Sequence, residues 1–141
     1  MTFEPDQSGT FNGAATVYAP PLQLAKFGFL YLNDGIWEGR RFLPEGWVRF
    51  STSVPDSYGR TELNIDQRTS VYGAGWWVNQ AVGTVPQPWP DAPADTFSAW
   101  GYRGQYVFVI PSKDIVIVRT GEDRDVPSDI NSFLKLALEA F

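Results

Sequence analysis

The chain contains no cysteine and no histidine among its 141 residues. The first absence excludes disulfides and thiolate metal sites. The second removes the commonest general base and the commonest metal ligand. Zinc chemistry is thereby set aside, and no cofactor or metal is expected. No stretch approaches the roughly eighteen apolar residues that a membrane-spanning helix requires, so no membrane partner is expected either. Positive charge is scarce: eleven Lys and Arg stand against sixteen Asp and Glu, for a net charge of −5 and an isoelectric point near 4.6. The basic residues are scattered, which argues against nucleic acid, whose binding rests on clustered Lys and Arg. Met1 to Asp6 has neither the basic start nor the apolar core of an export signal and reads as the middle of a protein, so the compartment stays open.

What is present suits one domain with a core. Hydrophobic residues make up 43% of the chain, and six are tryptophan. Residues 1–20 are rich in Gly, Thr and Pro and read as loop. An apolar helix is predicted from about Leu22 to 33, where Asn33-Asp34-Gly35 supplies stop chemistry. A turn or short hairpin follows at Trp37-Glu38-Gly39-Arg40, and a short helix is predicted to start at Pro44. Residues 52–70 read as loop, and residues 72–79 as one strand. Prolines at 86, 88, 90 and 93 keep residues 85–94 out of a sheet interior. A helix over about 128–140 closes the chain, with Ser128 as its predicted N-cap.

Residues 95–121, DTFSAWGYRGQYVFVIPSKDIVIVRTG, carry the most information. Three strands are predicted, at 96–100, at Gln105–Ile110 and at Ile115–Arg119, the last two joined by Pro111-Ser112-Lys113-Asp114. Between the first two stand Gly101 and Gly104, residues that can take positive φ and let a ligand approach the backbone closely. A tight turn with a bulge explains the same glycines. The loop is also of the kind that stabilises an oxyanion.

Several ordered segments resemble one family across nearly the whole chain. They are residues 19–28 (APPLQLAKFG), 30–37 (LYLNDGIW), 43–48 (LPEGWV), 72–77 (YGAGWW) and the strand region just described. In this order they resemble the C-terminal portion of the serine β-lactamase-like hydrolases, a family that includes class C β-lactamases, DD-peptidases, esterases and aminohexanoate-dimer hydrolases. The form Gly101-Tyr102-Arg103-Gly104-Gln105 is closest to the esterase and nylon-oligomer-hydrolase branch. The resemblance implies an α/β (α+β) lobe over residues 1–141, with a small antiparallel sheet, flanking helices and long loops. It also implies that the family's nucleophilic Ser-x-x-Lys and its tyrosine motif lie on a first half absent from this chain.

The family's third motif falls on Ala99-Trp100-Gly101, and Tyr102 would lend its backbone N–H to an oxyanion hole. Ala99 stands where a lysine or histidine is common, which favours an amide or ester over a carboxylate-bearing β-lactam, or else no activity. Trp100, Gly101, Arg103, Gly104, Gln105 and Trp89 are the implied substrate contacts, with Trp100 and Trp89 lining an apolar cleft for an acyl or amide ligand. The tryptophans fit a core equally well. By this reading the chain is nearly silent alone, and acts as a hydrolase only when a nucleophile-bearing segment completes it. The alternative is a binding module for a small ligand in the Trp-rich cleft. The partner implied is a complementing N-terminal chain or a second copy of this one.

Two motifs mimic the missing parts. Ser132-Phe133-Leu134-Lys135 spells Ser-x-x-Lys, but helical spacing puts Ile130, Phe133, Leu134, Ala137 and Phe141 on one face and Ser132 and Lys135 on the other. A solvated lysine stays protonated and activates no serine. Tyr31-Leu32-Asn33 spells the tyrosine motif, but it closes the first helix.

Overall fold

The computed structural model describes residues 1–11, 17–56, 71–83, 85–124 and 128–141. In chain order the elements are β1 (Thr2–Phe3), β2 (Val17–Tyr18), α1 (Pro21–Leu32), β3 (Ile36–Trp37), β4 (Arg40–Arg41), α2 (Trp47–Ser51), β5 (Val71–Tyr72), β6 (Trp77–Val78), β7 (Phe97–Gly101), β8 (Gln105–Ile110), β9 (Ile115–Arg119) and α3 (Ile130–Leu138). The arrangement is α+β. Strands β5 to β9 form one antiparallel sheet in sequence order, while β1–β2 and β3–β4 are separate two-stranded ribbons.

Period-two alternation along the long strands builds two cores, one on each face of the sheet. Phe97, Val109, Val71 and Val78 turn to the α1 side with Trp76, where Tyr31, Leu32, Ala99 and Val116 complete the cluster. Phe108 turns the other way, onto Leu134 of α3 and onto Trp89 and Ala92 of the proline-rich loop. Phe108 and Leu134 are fully buried, and each contributes about 1.5–3 kcal/mol by leaving water. The Pro111–Lys113 connection is a single 3-10 turn. Asp95 accepts the Ser112 N–H and hydroxyl at 2.7 and 2.9 Å and so caps it.

The first helix follows the pattern read from its residues. Pro21 occupies the first turn, where no N–H is needed. At the other end the Asn33 amide donates to the Phe29 carbonyl at 2.8 Å, and the Gly35 N–H reaches the Leu30 carbonyl at 2.8 Å. Trp37 pairs with Arg40 in the expected hairpin.

Three boundaries differ from expectation. Residues 72–79 are not one strand: the Gly73 N–H bonds the Trp76 carbonyl at 2.7 Å and folds the segment into the β5–β6 hairpin. The paired glycines of YGAGWW are turn residues, and the fold sends Trp76 and Trp77 to opposite faces. The second helix begins at Trp47, because Pro44 to Trp47 forms a turn of its own before it. The N-cap of α3 is Asp129, whose carboxylate accepts the Ser132 N–H at 3.1 Å and the Ser132 hydroxyl at 2.7 Å. Ser132 and Lys135 are both solvent-exposed, as the helical spacing required. Of the loop read over residues 52–70, positions 57–70 lie outside the described residues.

Helix α1 lies against β8 and β9 at Gly28. A Cβ there would stand 2.7 Å from Val116 Cγ1 and 2.9 Å from Val107 Cγ1, and both neighbours are β-branched and stiff. Gly28→Ala should therefore lower stability. The helix-propensity gain of about 1 kcal/mol is outweighed by an overpacking cost of about 1–3 kcal/mol. Urea unfolding showing Gly28→Ala as stable as the parent, or more so, would refute this close approach.

Candidate functional site

Of the predicted site, the part that the strands themselves frame is the β7–β8 turn. The ladder closes with Gly101 opposite Gln105, leaving Tyr102, Arg103 and Gly104 as a three-residue loop. Positive φ falls on Arg103 at 58° and Gly104 at 82°. Gly101 does not take it, so this part of the expectation is corrected. What Gly101 supplies is space: a Cβ there would stand 2.9 Å from the Gln105 Cβ across the ladder. Tyr102 is 80% exposed, and its ring lies under the Arg103 guanidinium at 4.9 Å.

The turn is tied back by its carbonyl groups. Arg119, the last residue of β9, donates from Nη1 to the Gly104 carbonyl at 2.6 Å, and from Nη2 to Asp123 at 2.8 Å and to the Ser128 hydroxyl at 2.5 Å. The Asp123 N–H donates to the Arg103 carbonyl at 3.1 Å. Gln105 reaches the same segment, its amide donating to the Gly121 carbonyl and, at 3.3 Å, to the Arg103 carbonyl. Arg103 is paired with Glu122 at 2.5 Å, and Glu122 also receives Arg124 at 2.6 Å. Hydrogen bonds from Arg124 and Arg103 hold the Glu122 carboxyl below its usual range. The Arg119 hydrogen bond, assisted by Ser128, does the same for Asp123.

An aromatic row crosses the sheet beside this turn. Tyr72 meets Trp77 at 4.6 Å; Trp77 stacks on Trp100 at 4.4 Å with planes 17° apart; Trp100 meets Tyr106 edge-on at 5.7 Å. The Arg119 guanidinium ends the row 6.0 Å above the Tyr106 ring. Burial pushes the Tyr106 phenol up. Trp100 keeps 38% of its surface in solvent, but Trp89 keeps only 4% and belongs to the core on Phe108. Trp89 therefore backs the row at 5.9 Å from Trp100 and does not line an open cleft.

Asn79 holds Trp89 in that place. Its amide nitrogen donates to the carbonyls of Trp89, Ala92 and Pro93 at 2.9–3.2 Å, and its oxygen accepts the Trp89 N–H at 2.7 Å. A fully buried amide with both ends satisfied fixes the proline-rich loop. Sequence reading missed Asn79, Arg119 and the structural use of Gln105. Asn79 and Arg119 had one signal each, a polar residue closing an apolar run. Among the described residues no cluster of acidic side chains suits a metal ion.

Comparison with known proteins finds a likeness of fold. A solved chain from Bacillus anthracis, provisionally named a 6-aminohexanoate-dimer hydrolase, superposes with a TM-score of 0.68 at 23% identity, over 98% of this chain and 32% of that one. An uncharacterized protein of Alkalihalophilus pseudofirmus is 23% identical over 115 residues, which are 82% of this chain and 33% of that protein. No family model matches. The chain spans about a third of the length of the proteins it matches, and the structural likeness establishes its fold.

The Arg119–Asp123 pair makes the turn's anchorage sensitive to acid. A carboxyl whose folded value is depressed adds stability above its unfolded value, near 3.8, and loses it as pH falls through the folded value. Asp123→Asn should therefore lower the urea midpoint at neutral pH, with the gap to the parent closing below about pH 4. A gap that stays constant with pH would show that the pair adds no linked stability.

Proposed function

We propose that this chain is the C-terminal lobe of a β-lactamase-like serine hydrolase, and that its β7–β8 turn supplies the oxyanion donor for amide or ester hydrolysis. The observation that carries this reading is the Gly101–Gln105 turn. It closes a strand pair, is held by its carbonyls, and sets Tyr102 at the surface beyond the ladder. The order of the family-like segments supports it, as does the fold shared with a chain provisionally named a hydrolase.

The chemistry is acyl transfer. A serine oxygen bonds to the substrate carbonyl carbon, and the carbonyl π electrons move onto oxygen, where the Tyr102 N–H stabilises the charge. Collapse expels the amine or alcohol with a proton, and water then cleaves the acyl ester. Serine and base would come from a segment outside these 141 residues, since Ser132 and Lys135 lie exposed on α3. One donor contributes about 3 kcal/mol toward a charge that a nucleophile must first create. The chain alone is accordingly silent. The substrate is a neutral amide or ester, because Ala99 offers no charge and the Arg103 guanidinium is held by Glu122. A second reading, a binding surface for a small planar ligand, is favoured by the half-exposed Trp77–Trp100 stack. Tryptophan fluorescence that responds to ligand without any turnover under complementation would support it.

Backbone and side-chain roles of Tyr102 separate cleanly. With the complementing segment supplied, Tyr102→Phe should keep turnover near the parent, whereas Tyr102→Pro, which removes the N–H, should lower kcat about 10²–10³-fold. A loss of about 100-fold in Tyr102→Phe at unchanged stability would give the chemistry to the phenol instead.

Assembly belongs to the same reading. β9 is the outer strand of the sheet among the described residues, and it is rich in β-branched side chains. Beside it runs a mostly apolar groove lined by Leu22, Phe29, Leu32, Trp37 and Val116, with Lys26 and Asp114 also in its wall. Such edges recruit another strand. The isolated chain should form a two-fold dimer through β9, a place that a complementing segment would otherwise take. Light scattering giving a monomer at micromolar concentration, together with fast amide exchange along Ile115–Val118, would count decisively against it.

A further inference from the structure

We infer that Arg119 and Gln105 are positioning residues for the β7–β8 turn: they grip the Arg103 and Gly104 carbonyls and so fix the far end of the three-residue loop that carries the Tyr102 N–H. The catalytic consequence rests on the hydrolase reading above, while the grip itself rests on geometry alone.

Both side chains direct their polar atoms to the chain itself. The guanidinium of Arg119 is divided between the Gly104 carbonyl, Asp123 and the Ser128 hydroxyl, and Gln105 is turned onto the backbone of Gly121. Gln105 closes that contact from both ends, since its oxygen also accepts the Gly121 N–H at 3.4 Å. The two glycines around the guanidinium make the grip possible. A Cβ on Gly104 would overlap Arg119 Nη1 and Asp123 Oδ2, and a Cβ on Gly121 would overlap Arg119 Nη1. Glycine at 104 is thus favoured by its φ of 82°, and any larger residue would also have to displace the Arg119 and Asp123 side chains from their contacts.

The direction of the Gly104 N–H follows from peptide planarity. In a trans peptide the C=O and the following N–H point opposite ways. The Arg103 carbonyl accepts from the Asp123 N–H and from Gln105, so the Gly104 N–H is aimed away from the 121–123 segment. A lysine at 119 keeps the charge but lacks the planar fork that reaches a carbonyl and a carboxylate together. Oxyanion donors act through being fixed before charge develops. The Tyr102 N–H lies on the Gly101–Tyr102 peptide, so the grip reaches it by restricting a three-residue loop closed at Gly101 and Gln105, and a loosened loop should lower kcat and leave KM nearly alone.

The test has two arms. On the isolated 141-residue chain, ¹⁵N relaxation should give order parameters at Tyr102 to Gly104 near the rigid value of about 0.85 in the parent and below about 0.6 in Arg119→Lys and Gln105→Met. Residues 108–110 should stay rigid in all three. Should Arg119→Lys fail to fold, Gln105→Met decides. Unchanged order parameters at the turn overturn the grip, as does loosening spread evenly along the sheet. In the complemented protein, both variants should lose at least tenfold in kcat on an aryl ester, with KM within about twofold. A loosened turn with unchanged kcat overturns the positioning role. Absence of hydrolysis in the parent counts against the hydrolase reading, and the relaxation arm still decides the grip.

Discussion

A guanidinium presents five donors in one plane and accepts nothing, and Arg119 directs its donors to three stretches of chain that no ladder connects. One is the β7–β8 turn, one is the segment just beyond β9, and one is the approach to α3. The side chains of Arg119 and Asp123 are each only 17% exposed, so the pair is screened less than a surface ion pair. Removing one partner would leave the other half-buried without compensation, a larger penalty than the pair's net worth. Turn, exit segment and last helix are thus coupled through one side chain.

Asn79 plays the matching part at the other side of the sheet face. Proline-rich segments cannot join a ladder, so residues 85–93 need another source of order. The buried Asn79 amide provides it, and Asp91 with Asn131 adds a reciprocal pair that ties the same loop to α3 at 3.0 and 2.5 Å. Trp89 is then pressed onto Phe108 from outside the sheet, which keeps Trp100 above it partly in solvent. The aromatic row therefore owes its exposure to a polar anchor beneath it.

Legibility in the sequence divides along the range of the interaction. β8 and β9 were readable because β-branched alternation and Pro111 to Asp114 are local signals, and the end of α1 was readable because Asn33 and Gly35 act within one turn of helix. YGAGWW misled for a related reason: its apolar content reads as strand, while Gly73 folds it back only because the Ser51 carbonyl lies against it and bonds Ala74. Ser128 was a fair cap by type, but Arg119 had already claimed its hydroxyl, which left the cap to Asp129. Gln105 was read as a ligand contact from its place in Gly101-Tyr102-Arg103-Gly104-Gln105. Its hydrogen-bond partner within the chain, Gly121, is sixteen residues away and leaves no mark in the local pattern.

The same division bears on what the proposed hydrolase reading asks of the turn. A three-residue turn that holds Arg103 at a φ of 58° carries backbone strain at that residue and would wander if only the ladder held it. The cost of ordering it has been met during folding by Arg119, Gln105 and the backbone of Asp123, before any substrate binds. Preorganisation of this kind raises a rate only when charge is generated opposite the donors. On the proposed hydrolase reading, such a lobe would hold its donor in place and stay inert until the reacting oxygen arrives from elsewhere. On that reading its stability and its catalytic contribution would draw on the same hydrogen bonds, and would be separable only by substitutions, such as those at Tyr102, that leave the carbonyl side of the turn untouched.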